Sequence, residues 1–205
     1  MIPSARPLPP DFYGLPTLDV ARQLLGARLV RVLDGDILTG IITETEAYIG
    51  EDDLACHARA GRTPRTRVMY APPGRAYVYF TYGMHWLLNA VTEPEGFPAA
   101  VLIRAVRVET GPEIVAVRRA GVSPGAWTNG PAKLTRAFGI DGAQNELDLT
   151  DTLSGLWIEP GFVISDANVT IGPRVGLYSV PEPFRSLPWR FLVTGSSKLE
   201  EPWAF

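Results

Sequence analysis

The sequence predicts an α+β fold: one domain over residues 1–205, built on a mainly antiparallel, curved β-sheet flanked by helices, with one β-hairpin protruding from it. Three observations carry this expectation. Two apolar-rich segments meet at Asp34-Gly35, a dipeptide whose left-handed preferences suit a tight hairpin turn. Three β-rich runs, "RAYVYFTYG", "MHWLLNAVT" and "AAVLIRAVRV", are separated by turn residues, the pattern of an antiparallel meander. Two short segments, "GPEIVAVRRAG" and "NGPAKLTRAFG", carry a proline near the first helical position and a glycine where a helix would stop.

Taken in order, the Pro-rich residues 1–10 read as a poorly ordered arm. "TLDVARQLLG" reads as a short helix with Thr17 as N-cap and Gly26 as its stop. The hairpin "ARLVRVL-DGD-ILTGIITETEAYI" follows, and then "GEDDLACHARAGRTPRTR", which has no clean period and reads as a loop with one helical turn. After the meander and the two helices, "LWIEPG", "VTIGPRVGLYS" and "WRFLVTGS" are strand and loop broken by Gly and Pro. No repeat or low-complexity segment interrupts this order, and one α+β layer arrangement accommodates it.

Composition bounds the function. With 46% hydrophobic and 20% charged residues the chain has the make-up of a soluble globular protein. No apolar run approaches the ~18 residues of a membrane span. The segment "MIPSARPLPPDFYG" lacks a signal-peptide core, so a cytoplasmic protein is expected, nucleoid-associated if the source is prokaryotic. Cys56 is the only cysteine, which leaves neither an internal disulfide nor a zinc cluster, and no cofactor motif appears. A net charge of −3 argues against a generally basic nucleic-acid binder. The charges are unevenly spread, however. Leu54 to Thr92 contains no Asp or Glu but carries Arg59, Arg62, Arg65, Arg67, Arg75, His57 and His85. A second acid-free span, Ile114 to Ile140, carries Arg118, Arg119, Lys133 and Arg136. Such blocks are either a solvated surface or one positive binding face on a neutral body.

Within "IITETEAYIG", strand alternation places Ile42, Glu44, Glu46 and Tyr48 on one face and Ile41, Thr43, Thr45, Ala47 and Ile49 on the other. Such a face is either a solvated edge or a strand that presents an acid. Carboxylates that cleave a glycosidic bond as a pair flank it from opposite sides, about 5–9.5 Å apart. Neighbours on one strand face point the same way, so one active carboxylate and one structural one is the better reading. A lone Glu suffices to deprotonate a water that attacks an electron-poor carbon. In "YVYFTYGMHW", aromatics on both strand faces ordinarily mean burial. Tyr82, immediately before Gly83, falls at a turn instead, where a ring could act as a wedge in a base stack. His57 is more often structural than catalytic in such a loop, and His85 beside Trp86 is expected to pack.

The stretches "ETEAY", "CHARAGRTPRTRVMY", "YVYFTYGMHWLLNAV", "AVLIRAV", "GPAKL" and "RVG" closely resemble, in family order, the alkyladenine (3-methyladenine) DNA glycosylases of mammalian type. The resemblance implies a monofunctional glycosylase of base excision repair. Such an enzyme flips alkylated or deaminated purines (3-methyladenine, 7-methylguanine, hypoxanthine, ethenoadenine) out of duplex DNA and hydrolyses the N-glycosidic bond without metal, cofactor or lyase chemistry. By position, Glu46 is then the general base, Arg104 orients the water and the flipped nucleotide's phosphate, and Val175 offers its carbonyl to the water. Tyr48, His57 and Tyr79 match the residues that hold the extruded base, and Asn89 the one that disfavours guanine. Tyr82 matches the intercalating tyrosine, with Met84, Arg62 and Lys133 as further DNA contacts. The partner implied is double-stranded DNA containing damaged purines, with no membrane and a monomeric protein. This chain departs from the vertebrate pattern by one residue fewer between Arg62 and "TPR", and by His85, Trp86 and Leu87 behind the wedge. A non-catalytic nucleic-acid-binding domain and a free-nucleoside hydrolase are the competing readings.

Overall fold

In the computed structural model, which describes residues 6–194, one antiparallel sheet of eight strands organises the chain. Strands β1 (Arg28–Leu33) and β2 (Asp36–Ile49) form the first hairpin, turning at Asp34 (φ +54°) and Gly35 (φ +89°). Both turn residues are left-handed, as the twist of a two-residue hairpin loop requires. Strands β3 (Ala76–Thr81), β4 (His85–Val91) and β5 (Ala99–Thr110) make the expected meander, and β5 runs along nearly the whole of β2. With β6 (Leu156–Glu159) on the far side of β1, the order is β3-β4-β5-β2-β1-β6. Strand β8 (Arg190–Val193) pairs with Glu44–Glu46 of β2, beyond the stretch that pairs with β1, and carries β7 (Val169–Gly172) outside it.

Helices α1 (Pro10–Tyr13), α2 (Thr17–Gln23), α3 (Pro112–Arg118) and α4 (Pro131–Phe138) flank the sheet. Val20, Ala21, Leu134 and Phe138 from these helices join Leu38, Ile42, Val101, Ile103 and Val106 of β2 and β5 in a single buried core. Gly139 ends α4 in the left-handed conformation, as expected. Two expectations need correction. Helix α2 ends at Gln23 rather than reaching Gly26, and Thr17 is its first residue rather than its cap. The Thr17 N–H and hydroxyl both donate to Glu93, at 2.8 and 2.9 Å, so a distant carboxylate does the capping. Nor are residues 6–10 a free arm. Leu8 is fully buried, donates its N–H to the Ile158 carbonyl at 2.8 Å, and α1 starts at Pro10. Residues 1–5 lie outside the described part of the chain.

Strict alternation along β2 also fails, for an instructive reason. Ile42 packs in the core with Leu38, yet Thr45, Ala47 and Ile49 face the same side: Ala47 and Ile49 join that core, and the Thr45 hydroxyl donates to Ala21 O of α2 at 2.7 Å. Two core-facing residues three apart mean that the phase has slipped. The slip lies at the register irregularity where Ile42 faces Val106 but Thr45 faces Ile103. Strand β5 slips opposite it, since Val101 and Ile103, then Val106 and Val108, all face the core. A β-bulge re-aims side chains in this way. The result is that Glu44, Glu46 and Tyr48 share a face without Ile42, and Arg104 joins them from β5.

Candidate active site

The side of β2 opposite the core forms the floor of a cavity of about 310 Å³. Glu46 is fully buried beneath it. Its Oε1 accepts the Val175 backbone N–H at 2.7 Å, its Oε2 accepts the Tyr48 hydroxyl at 2.8 Å, and Arg104 Nη1 lies 3.4 Å from Oε2. Tyr48, Arg104 and Val175 all line the cavity, so the carboxylate is screened by the groups that hold it. Burial raises the Glu46 pKa above the ordinary carboxylate value; Arg104, the Val175 N–H and the Tyr48 hydroxyl oppose the rise without cancelling it. Glu44 has a different occupation. Its Oε1 accepts Arg104 Nε at 2.9 Å and Arg190 Nε at 2.6 Å, which fixes Arg104 between the two carboxylates. Burial opposes the charge on Arg104, but Glu46 and Glu44 outweigh it and hold the guanidinium protonated.

The walls are aromatic. His57 and Tyr79 meet edge to face at 4.5 Å, and Tyr77 lies 5.2 Å from Tyr79. The Tyr77 hydroxyl is 3.0 Å from His57 Nδ1, while the Tyr77 carbonyl accepts Asn89 Nδ2 at 3.0 Å. Burial, with Arg65 and Arg59 nearby, pulls the His57 pKa down to about 4, so the ring is neutral at physiological pH. Tyr48, His57, Tyr79, Asn89, Arg104, Tyr82 and Val175 thus all border one cavity. The site-forming loop between β2 and β3 contains two short 3-10 turns: His57–Ala60, the one expected within residues 50–67, and Arg67–Tyr70, which begins where that span ends.

At the mouth, Tyr82 caps the β3–β4 hairpin with φ +51° and 83% of its surface exposed, and Met84 beside it is 68% exposed. A non-glycine residue held left-handed with its ring in solvent is uncommon and points to use of the ring. Lys133 stands exposed on the first turn of α4, donating to Asn129 Oδ1 at 2.8 Å. Arg62 does not border the cavity; it lies over the Tyr70 ring at 5.6 Å and faces a separate depression with Arg67 and Arg75. The positive face is also narrower than the acid-free span suggests. Arg67 pairs with Glu146 at 2.6 Å and Arg75 with Asp148 at 3.3 Å, acids supplied from far along the chain. Arg65 lies over Tyr79 at 5.0 Å and donates to Phe80 O, one residue before the end of β3 and close to the hairpin tip. His85 is exposed rather than packed.

Sequence reasoning missed several members of the site. Tyr77 orients both His57 and Asn89, and Cys56, Met69, Leu87, Leu102 and Leu177 complete the lining. Cys56 is a packing residue, its thiol pushed up to about 12 by burial. Arg174 makes a buried bidentate pair with Asp53, Nη1 to Oδ2 at 2.5 Å and Nη2 to Oδ1 at 2.9 Å. The lone arginine in "GPRVG" was the available signal for it, but nothing in the sequence names a partner 121 positions away. Among the described residues no group of three or more His, Cys, Asp or Glu side chains is placed to hold a metal ion.

The site thus joins a buried, hydrogen-bonded carboxylate, a cavity walled by aromatic rings and an exposed tyrosine at its mouth. A family model described as methylpurine-DNA glycosylase matches residues 11–197. A protein of Myxococcus xanthus is 48% identical over 183 residues, covering 87% of this chain and 88% of its own length. One from Methanocella arvoryzae is 46% identical, covering 90% of each chain, and one from Bacillus subtilis is 43% identical, covering 93% and 94%. All three carry the name "Putative 3-methyladenine DNA glycosylase". The chain belongs to the methylpurine-DNA glycosylase family. It is an enzyme of DNA repair, a DNA glycosylase.

Proposed function

We propose that the enzyme removes alkylated or deaminated purines (3-methyladenine, 7-methylguanine, hypoxanthine and ethenoadenine) from duplex DNA by flipping the nucleotide into the aromatic cavity. A water activated by Glu46 then attacks C1′ of the sugar. The water oxygen bonds to C1′, its proton passes to Glu46, and the C1′–N bond breaks with the electron pair leaving on the base. The products are the free base and an abasic site. The observation that carries this reading is the placement of one buried, hydrogen-bonded carboxylate under a cavity walled by Tyr48, Tyr79 and His57. Its volume, about 310 Å³, is at the small end of ligand pockets and matches a single base better than a larger ligand.

Each part has a physical role in this scheme. Glu46 keeps unused lone pairs on both oxygens, so it can accept a further hydrogen bond from water. Tyr48, Arg104 and Val175 line the cavity over Glu46, so the water approaches the carboxylate from the cavity side between these groups. Arg104, held by Glu44, offers positive charge to the nucleotide's phosphate and to Glu46. The faces of Tyr48 and Tyr79 favour positively charged alkylpurines, which are already good leaving groups. Neutral lesions such as hypoxanthine need protonation to leave and are the harder substrates. Asn89, anchored on Tyr77, disfavours the 2-amino group of guanine. Tyr82 fills the gap in the stack, which a hydrolase of free nucleosides would not need. The one described lysine, Lys133, is outside the cavity, so the amine required for a Schiff-base lyase step is not supplied there. The enzyme is proposed to act as a monomer in the cytoplasm, on the nucleoid of a prokaryotic cell.

The test is single-turnover excision from duplex oligonucleotides carrying hypoxanthine, ethenoadenine or 7-methylguanine. Glu46→Gln is expected to lower the rate by about 10²–10⁴-fold while binding of an abasic-site duplex stays within about twofold. A Glu46→Gln rate equal to wild type would sink the assignment of the base.

A further inference from the structure

An ion pair outside the cavity touches the residues that form its floor. Arg174 and Asp53 have almost no exposed side-chain surface. From one guanidinium, Arg174 donates to both Asp53 oxygens, to Ala47 O at 2.9 Å and to Phe184 O at 3.2 Å. Its Cζ also lies over the Tyr48 ring, 4.7 Å from the centroid, and over the Trp189 ring, 4.9 Å from the centroid. The next residue in the chain, Val175, places its N–H on Glu46. Ala47, between Glu46 and Tyr48, is held from both ends: its carbonyl accepts Arg174, and its N–H donates to Trp189 O at 2.9 Å.

We infer that Arg174, locked by Asp53, is a positioning residue that sets the Val175 N–H on Glu46 and braces the Tyr48 ring. This rests on the reading of Glu46 as the water-activating base. Stability alone does not account for the pair, because a buried ion pair is often no better than apolar residues of the same volume. The site even carries a cost, since Arg174 Nε is buried with no hydrogen-bond partner among the described residues. What an apolar replacement could not do is reach four oxygens from one planar fork while stacking between two rings. Residue 174 is thereby fixed to β2 and to the loop after Gly50, and Val175 cannot drift from Glu46 without breaking those bonds. Arg174 does not border the cavity, which Tyr48 does, so it acts through Tyr48 and Val175 rather than on the substrate.

Arg174→Lys and Asp53→Asn test this, through single-turnover excision of hypoxanthine across pH and affinity for an abasic-site duplex. The groups around Glu46 are Arg104 on β5, Tyr48 and Glu44 on β2, Tyr79 on β3, the Val175 amide, and Arg190 on β8 acting through Glu44. The Val175 N–H favours the ionised acid, so its loss moves the acid limb of the rate profile to higher pH. We expect a rate about tenfold to a hundredfold lower, that limb displaced upward, and abasic-site affinity within about twofold, the wedge and surface arginines being intact. Should Arg174→Lys not fold, the double variant Arg174→Met with Asp53→Leu removes both buried charges together and is read in the same way. Wild-type rate and an unmoved limb would overturn the inference. So would a loss of rate matched by an equal loss of affinity with the limb unmoved, which marks a purely structural clamp. If wild type itself releases no base, the reading of Glu46 fails instead.

Discussion

Glu44 and Glu46 are two positions apart on one strand and have very different surroundings. Two guanidinium groups engage Glu44, whereas Glu46 is sealed by an amide, a phenol and one cation at 3.4 Å. The spacing favours one active and one structural carboxylate, and the resemblance points to Glu46 as the active one; it assigns nothing to Glu44, whose contacts with Arg104 and Arg190 lie on strands remote in sequence. His57 gives a second residue-scale prediction. Its folded pKa, near 4, lies below the ordinary 6.5, so its contribution to stability is full above pH 6.5 and is lost as pH falls towards 4. The shift corresponds to about 3 kcal/mol of stability. Chemical denaturation of wild type and His57→Gln at pH 7.5 and pH 4 should show the wild type losing stability more steeply on acidification. Parallel curves would show that the ring is not held neutral.

At the scale of elements, the hairpin between β3 and β4 separates function from stability. Its base is core, with Ala76 and Val78 buried, while its tip is in water. Tyr82→Ala is therefore expected to change unfolding free energy by less than about 0.5 kcal/mol while weakening capture of a lesion paired within duplex DNA. Melting curves and excision rates on paired and single-stranded substrates check this; an equal loss on both would mean that Tyr82 does not fill a gap. The elements themselves were largely legible because their signals are local: Asp-Gly at the first turn, Gly-Pro at the starts of α3 and α4, and alternating runs in the meander. What was not legible depends on partners remote in sequence. Glu93 caps α2 from 76 positions away, and Ile158 holds Leu8 in place. The phase slip in β2 is also set by its pairing with β5, and no single-strand pattern contains it.

For the whole molecule, the charge distribution governs how DNA is met. The chain is acidic on average, and two of the arginines in its acid-free span are neutralised by Glu146 and Asp148. Long-range attraction is thus weak, and binding of duplex DNA is expected to rest on a few local cations, such as Arg65 beside the hairpin and Arg62 on the neighbouring depression. Affinity for duplex DNA should fall with salt along a straight log–log line. Arg65→Ala and Arg62→Ala should each reduce its slope by about 1. Titrations between 50 and 200 mM salt, about the range over which such contacts are lost, measure this; unchanged slopes would move the DNA path elsewhere on the protein.

The slip at Thr43 and its counterpart on β5 divide the long strands into two reading frames. In the first half of β2 the even positions Leu38, Gly40 and Ile42 belong to the core side; in the second half it is Thr45, Ala47 and Ile49. A substitution leaves this division intact, but a one-residue deletion before Glu44 does not. It would shift Glu46 and Tyr48 onto the side that holds Val101 and Ile103 and turn Ala47 towards the cavity, exchanging chemistry for packing along the whole segment. The fold should therefore tolerate changes of side chain on the cavity face, Glu46→Gln included, far better than any change of length between Ile42 and Thr45.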